Sequence, residues 1–185
     1  ISITALATGT NTVVIGLQIY GNPASTLTSQ AGSIVINVSG TSQNSSAALI
    51  ASNPGASLLS IIANNANGNA GNISILGQDY GKNLGMSLTG VRVKTNGGGL
   101  TVGPFGSGIG SFNLPAGFIL PGTILSSLTI GGLKSYGIVT IANGALDNAN
   151  NGVLNFPINI LIGGLYGAAS TNLSAANVSL NFGNI

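Results

Sequence analysis

Apolar and polar side chains alternate along much of this chain, and this two-residue period limits its possible folds more than any other feature. Ile34, Ile36 and Val38 occupy alternate positions of one segment, and the segment Asn177–Phe182 repeats the pattern. Because successive side chains of a β-strand point to opposite faces, the pattern predicts strands with one buried side and one solvated side. The apolar spacing of an amphipathic helix is nearly missing. We therefore predict an all-β fold.

Several segments combine this alternation with β-branched residues and are bounded by Gly or Asn, as strands commonly are. They are Thr12–Tyr20, Ser33–Ser39, Ile73–Leu76, Met86–Lys94, Ile124–Ile130, Tyr136–Ile141, Asn159–Tyr166 and Asn177–Phe182. The segment Ala47–Leu59 is interpreted as a short helix or a loop.

Asn-Gly pairs separate some of these segments, and both residues tolerate the positive φ that tight hairpin turns require. The pairs begin at Asn67, Asn96, Asn143 and Asn151. No fixed repeat length emerges, which disfavours a β-solenoid. The sequence therefore predicts an antiparallel β-sandwich-like head of the jelly-roll or Greek-key type.

Charged side chains make up 3% of the chain, against roughly 25% in typical soluble domains. They are Asp79, Lys82, Arg92, Lys94, Lys134 and Asp147. With 44% hydrophobic residues the chain is expected to fold rather than to be disordered. The four basic residues are scattered, so we expect no nucleic-acid partner. Two aspartates leave few protons to bind on acidification, so stability should depend little on pH.

Cysteine and histidine are both absent, which excludes disulfides, zinc sites of the usual ligands and imidazole-based catalysis. Asp79 and Asp147 lie far apart in the sequence and have no histidine to pair with. We predict no enzyme activity, no metal and no cofactor other than N-linked glycans. The apolar stretch Val153–Ala169 contains two asparagines and a proline and is shorter than the roughly 20 residues of a spanning helix, so no membrane span is expected.

Five Asn-x-Ser sequons are candidate sites of N-glycosylation. They lie at Asn37, Asn44, Asn72, Asn172 and Asn177. Random placement of so many Asn, Ser and Thr residues gives a similar number, so the positions of the sequons matter more than their count. Asn37 and Asn177 fall on the outward side of predicted strands, and Asn44 and Asn72 lie in or beside polar loops. We predict that several carry glycan if the protein is exported.

The opening segment ISITALA alternates, with Ile1, Ile3, Ala5 and Ala7 on one face. It is either the first strand of the domain itself or a strand given to another subunit. The gradation from large to small side chains suits a slot in a neighbour, and the polar linker Thr8–Asn11 permits an outward-reaching arm. The uncharged start without methionine is interpreted as a mature terminus from which a secretory signal has been removed.

In character, the whole chain resembles the subunit of the archaeal thread, a surface filament of thermoacidophilic Sulfolobales, and more distantly the archaeal bundling pili. The features shared are the alternating N-terminal strand, the Ser/Thr/Asn/Gly-rich strands, the sequons and the near absence of charge. The resemblance implies a sandwich-like head that lacks one strand, completed by the N-terminal strand of the adjacent subunit, with N-glycans outside. Ile1, Ile3, Ala5 and Ala7 would carry the donor role, and the five sequon asparagines would carry sugar.

The expected organisation is thus a donor strand and joint over residues 1–10 and a head over residues 11–185. The expected function is that of a structural subunit of an extracellular cell-surface filament, joined to identical subunits by donor-strand complementation. Two alternatives stay open: a non-filament coat protein such as an S-layer or capsid sandwich, and a secreted carbohydrate-binding or adhesion module. Other cell surfaces or filaments are further candidate partners.

Overall fold

The structure is a computed structural model that describes residues 1–7, 14–15, 24–40, 45–46, 58–64, 70–78, 88, 90–105, 112–132, 139–142, 144–162, 171–172 and 178–182. Its strands are β1 Ser2–Ala7, β2 Val14–Ile15, β3 Ala24–Ser29, β4 Ile34–Gly40, β5 Ser45–Ser46, β6 Leu58–Ala63, β7 Ile73–Gln78, β8 Val91–Phe105, β9 Phe112–Leu114, β10 Ile124–Gly132, β11 Val139–Ile141, β12 Ile158–Ile162, β13 Thr171–Asn172 and β14 Val178–Phe182. A short 3-10 turn covers Asn150–Gly152.

Every strand pairing in the described part of the chain is parallel. A long sheet, here called sheet A, has the order β1-β4-β7-β8-β10-β12-β14 and curls into a half-barrel. A second run, sheet B, has the order β3-β6-β8 and joins sheet A through β8. Two short sheets, β2-β5 and β9-β11-β13, complete the fold.

The prediction of an antiparallel β-sandwich of the jelly-roll or Greek-key type is therefore wrong. The chain visits sheet A, a short sheet and sheet B in that order and then returns to sheet A, as β1, β2, β3 and β4, β5, β6 show. One such circuit of the chain is here called a coil. Each strand pairs with the equivalent strand of the next coil, which is the organisation of a parallel β-solenoid. Coil lengths vary between roughly 20 and 40 residues, so a search for one fixed period misses them.

Strand β8 is 15 residues long and turns the corner between sheets B and A. Its first residues pair with β6, and its later residues pair with β7 and β10. Gly97 has a φ of 85° at this corner. The buried Thr95 hydroxyl donates to the Gly71 carbonyl at 2.6 Å and accepts from the Gly98 amide at 3.2 Å. One side chain thus satisfies backbone groups from two coils, which lets the strand bend without orphaned polar atoms.

Rows of apolar side chains, one residue from each coil, fill the interior beneath sheet A. One row runs Ile34, Ile73, Leu100, Leu128, Ile158, and a second runs Ile36, Ile75, Val102, Ile130; all nine are buried. Each large aliphatic side chain removed from water contributes about 1.5–3 kcal/mol. The two-residue period found in the sequence is thus the period of the core, although the strands that share it lie side by side in parallel.

Glycines occupy the same corner position in three successive coils, two residues before the first buried residue of sheet A. They are Gly32, Gly71 and Gly98. A Cβ on Gly71 would lie 2.7 Å from the Gly32 carbonyl oxygen, and a Cβ on Gly98 would lie 2.6 Å from the Gly71 carbonyl carbon. Neighbouring coils approach so closely here that only a residue without a side chain fits.

The Asn-Gly hairpin prediction is also wrong where the structure describes the pairs. Asn96-Gly97 forms the bend inside β8, and Asn151-Gly152 lies in the 3-10 turn with positive φ at both residues. The pairs beginning at Asn67 and Asn143 include residues outside the described part. Positive φ is needed at a coil corner as well as in a hairpin, so the same dipeptide serves both.

Candidate assembly strand and glycan positions

The residues predicted to form a donor strand lie in or beside β1, which pairs in parallel with β4 of its own chain. Ile3 and Ala5 are partly buried and pack against the core. Ile1 is 47% exposed, although Ile34, the next residue in its row, is fully buried. Ala7 is in register with Gly40, and its side chain lies outside the described set. The structure therefore shows the first of the two arrangements weighed for this segment, with the strand paired inside its own domain.

One edge of β1 carries no strand within the described part of the chain, because β4 is its only neighbour there. The Ile1 amino group donates to the Ser33 carbonyl at 2.8 Å, and the Val35 amide donates to the Ile1 carbonyl at 2.8 Å. In a parallel strand the backbone groups of alternate residues point to opposite edges. Ser2, Thr4 and Leu6 therefore direct their amide and carbonyl groups to the unoccupied edge.

The donor-strand prediction for Ile1, Ile3, Ala5 and Ala7 requires β1 to leave β4 and pair with another subunit. The division into an arm over residues 1–10 and a head over residues 11–185 depends on the same event. Both stay predictions. The structure adds that β1 pairs with β4 of its own chain and is an end strand, whose other edge has no neighbour among the described residues.

Asn72 is the sequon asparagine that the structure presents most clearly. Its residue is exposed, directly before β7, and its side-chain oxygen accepts a hydrogen bond from the Gly99 amide at 2.8 Å. This bond uses the carbonyl end of the side chain and leaves the nitrogen, the atom that N-glycosylation modifies, without a partner among the described residues. Local geometry thus favours attachment at Asn72.

Asn37 is less accessible than Asn72, since it is partly buried in β4 and lies in register between Thr4 and Leu76. Its side-chain oxygen is buried and has no hydrogen-bond partner within the described residues. Asn172 lies in β13, and Asn44 and Asn177 fall outside the described residues. Glycosylation at all five positions stays a prediction.

A shallow groove lies on the outer face of sheet A, where successive coils bring together residues that are distant in the sequence. Its polar lining comes from Ser33, Asn72, Ser74, Thr101 and Ser127. The groove has hydroxyl and amide groups but no charged or aromatic side chain in its lining. Sequence reasoning missed it, because a groove across four strands becomes visible only once the coil register is known.

Among the described residues, charged side chains occupy three positions, none of them in the rows of sheet A. Arg92 and Lys94 are in register with Ser60 and Ile62 of sheet B, and Asp147 is the one other charged side chain that the structure describes. The described residues form no cluster of three metal-ligating acids. They also include no helix with the length and hydrophobicity to cross a bilayer. Sheet A therefore offers two features for recognition: uncharged polar side chains on its outer face and backbone groups at the edge of an end strand.

Comparison of the chain with protein-family models, curated proteins and solved structures returns no match.

Proposed function

We propose that this protein is a structural subunit of an extracellular filament built from identical chains and coated with N-linked glycans. The observation that supports the proposal most directly is the open edge of β1, next to a half-exposed Ile1. Natural proteins usually protect an edge strand with charged residues, proline or a bulge. The segment SITALA has neither charge nor proline, and its register with β4 runs without interruption.

A chain of coils favours a filament over a two-dimensional coat. New strands add to sheet A only at its two ends, so growth through this sheet proceeds along one direction. A lattice or shell needs additional lateral contacts, which the uncharged outward row of sheet A, with glycan beside it, does little to provide. An extracellular location accords with the sequons, because N-glycosylation acceptors are typical of secreted proteins.

A carbohydrate-binding module is the second candidate, and the groove on sheet A is the observation that favours it. Hydroxyl and amide side chains, such as those of Ser74 and Asn72, can bond sugar hydroxyls. Sugar sites usually combine such groups with an aromatic ring against which the pyranose packs, and the lining of this groove contains none. We therefore place the binding module second.

Electron microscopy of the purified full chain, together with sedimentation velocity over a range of concentrations, tests the proposal. We expect thin unbranched threads and a sedimentation profile that shifts to larger species with concentration. Strictly monomeric protein at every concentration, or planar lattices and closed shells, would contradict it. Titration with soluble glycans, monitored by calorimetry, tests the second candidate in the same preparation.

A further inference from the structure

The seven strands of sheet A share common register rows from the first strand to the last, and an irregularity between β8 and β10 ends before Ser127. Register partners in successive strands form a row, which runs Ser2, Val35, Ser74, Thr101, Thr129, Asn159 and Ser179. We call it the outward row, because none of its members with a described side chain is buried. The row before it runs Ile34, Ile73, Leu100, Leu128, Ile158 and Val178, and Ile1 precedes Ser2 at its start. The first and last strands of the sheet therefore stand at equivalent positions of their coils.

The two end strands, β1 and β14, each have one strand neighbour among the described residues, β4 and β12 respectively. Neither SITALA nor VSLNF contains a charged residue or a proline. Stacked-repeat proteins require terminal repeats with a polar outer side to stay soluble as monomers. Both end strands of sheet A are uncharged and free of proline, and no such cap covers either of them within the described part of the chain.

Backbone direction matches at the two ends. The amides in the row of Ile34 point to the following coil, since Ile34 donates to the Asn72 carbonyl at 2.9 Å and Leu128 donates to the Pro157 carbonyl at 2.9 Å. Continued by alternation, Val178 and Leu180 direct their backbone groups to the open edge of β14. Ser2 and Thr4 direct theirs to the open edge of β1, so the two edges carry complementary donors and acceptors.

The exposed fraction also changes along the row that begins with Ile1 and Ile34, and the change favours a further strand beside β1. Ile1 is 47% exposed while Ile34 is fully buried, because in the part of the chain that the structure describes Ile34 has a coil on each side and Ile1 has a coil on one side. A further parallel strand at the edge of β1 would give Ile1 and Ile3 the same two-sided packing that the interior coils have. The sequence of β14 places Val and Leu at the matching register positions.

We propose that the subunits join head to tail, with β14 of one copy pairing in parallel with β1 of the next, so that Ser179 lies opposite Ser2. Sheet A then continues through the filament without a change of register or direction. This inference rests on the proposed filament function and specifies its joint: β1 keeps its own partner β4 and accepts a second strand.

Cysteine pairs test the register directly, since the chain contains no cysteine of its own. The variant Ser2→Cys with Ser179→Cys should form intermolecular disulfides on mild oxidation and give a ladder of covalent multimers on a non-reducing gel. The control variant Ser2→Cys with Leu180→Cys shifts the second cysteine by one register position and should stay monomeric on the gel. Equal ladders from both variants, or no ladder from the first while threads are seen, would overturn the inference.

A second pair separates edge addition from strand donation. Ser2 and Val35 are direct partners on the outer face, so Ser2→Cys with Val35→Cys locks β1 onto β4 when oxidised. We expect the locked protein to form threads as well as its reduced form does. Loss of threads on oxidation, with recovery on reduction, would show that β1 must leave β4 and would establish donor-strand complementation instead.

A proline substitution tests the open edge itself. Thr4→Pro removes an amide that points to the open edge and leaves the amides that pair with β4 in place. It should abolish threads while the circular dichroism of the monomer is retained, and Thr4→Ala should assemble normally. Threads formed by Thr4→Pro would contradict edge addition, whereas a complete lack of polymer in the unmodified chain would contradict the filament function itself.

Discussion

The close approach of coils at the glycine corner gives the sharpest test of the fold, and the substitution Gly98→Ala probes it. Gly98 does not have a left-handed φ, so alanine is compatible with its backbone. The added methyl would meet the Gly71 carbonyl group, with its carbon 2.6 Å from the carbonyl carbon. Backbone of the adjacent coil cannot rotate away as a side chain can, so the two coils must separate.

That separation also weakens the hydrogen bond from the Thr95 hydroxyl to the Gly71 carbonyl. Overpacking of this kind typically costs about 1–3 kcal/mol, and a lost hydrogen bond adds about 0.5–1.5 kcal/mol. We therefore expect Gly98→Ala to lower the free energy of unfolding by about 2–4 kcal/mol. For a chain of this size each kcal/mol corresponds to a decrease in Tm of about 2–4 °C.

Gly99→Ala is the matched control, since it lies next to Gly98 and its Cβ would meet the Ser127 hydroxyl at 2.8 Å. That hydroxyl belongs to a side chain that can change rotamer, so the loss should stay below about 1 kcal/mol. Urea unfolding followed by circular dichroism compares both variants with the parent. Equal stability of Gly98→Ala and the parent would show that Gly71 and Gly98 do not lie in adjacent coils.

Three further outcomes follow from the same structure. Thr95→Val should lower the free energy of unfolding by about 1–3 kcal/mol, measured by urea titration, because it leaves the Gly71 carbonyl and the Gly98 amide without their shared partner. The Tm of the protein should change little between about pH 2 and pH 7 in a calorimetric series, because two aspartates bind few protons on acidification, and a sharp acid transition would contradict this. Glycopeptide mass spectrometry of native protein should find higher occupancy at the exposed Asn72 than at the half-exposed Asn37, and the reverse order would show that the folded geometry does not control attachment.

The sequence predicted individual strands better than their partners. The segments around β4, β7 and β10 were placed within a few residues, because alternation follows from the burial of one face and does not depend on the neighbouring strand. β6 was missed, since the apolar run LLSII in a serine- and alanine-rich region was interpreted as part of a helix or loop up to Leu59. β3 was missed because five of its six residues are Ala, Ser or Thr.

Parallel pairing was not predicted because the local signals do not specify it. Asn-Gly pairs favour positive φ, which coil corners and hairpins both use. The lengths of the coils differ, as the pairing of Ile34 with Ile73 and of Ile158 with Val178 shows, so the repeat is present in space but not in sequence spacing. The open edge of β1 was equally hidden, since an end strand is defined by which strands pair and not by its own residues.

Stacking in register also explains why the chain carries so little charge on sheet A. Neighbouring strands lie about 4.8 Å apart, so residues of one row are direct neighbours, and like charges at such positions are destabilising. The outward row through Ser74, Thr101 and Thr129 is uncharged, whereas Arg92 and Lys94 lie in sheet B beside the uncharged Ser60 and Ile62. If the row continues through a filament, every charged residue in it would be repeated in each subunit. Uncharged hydroxyl and amide side chains keep the outer face hydrated without that repulsion. Glycan attached beside the row at Asn72 would limit lateral contact between neighbouring filaments and would leave both ends of sheet A open.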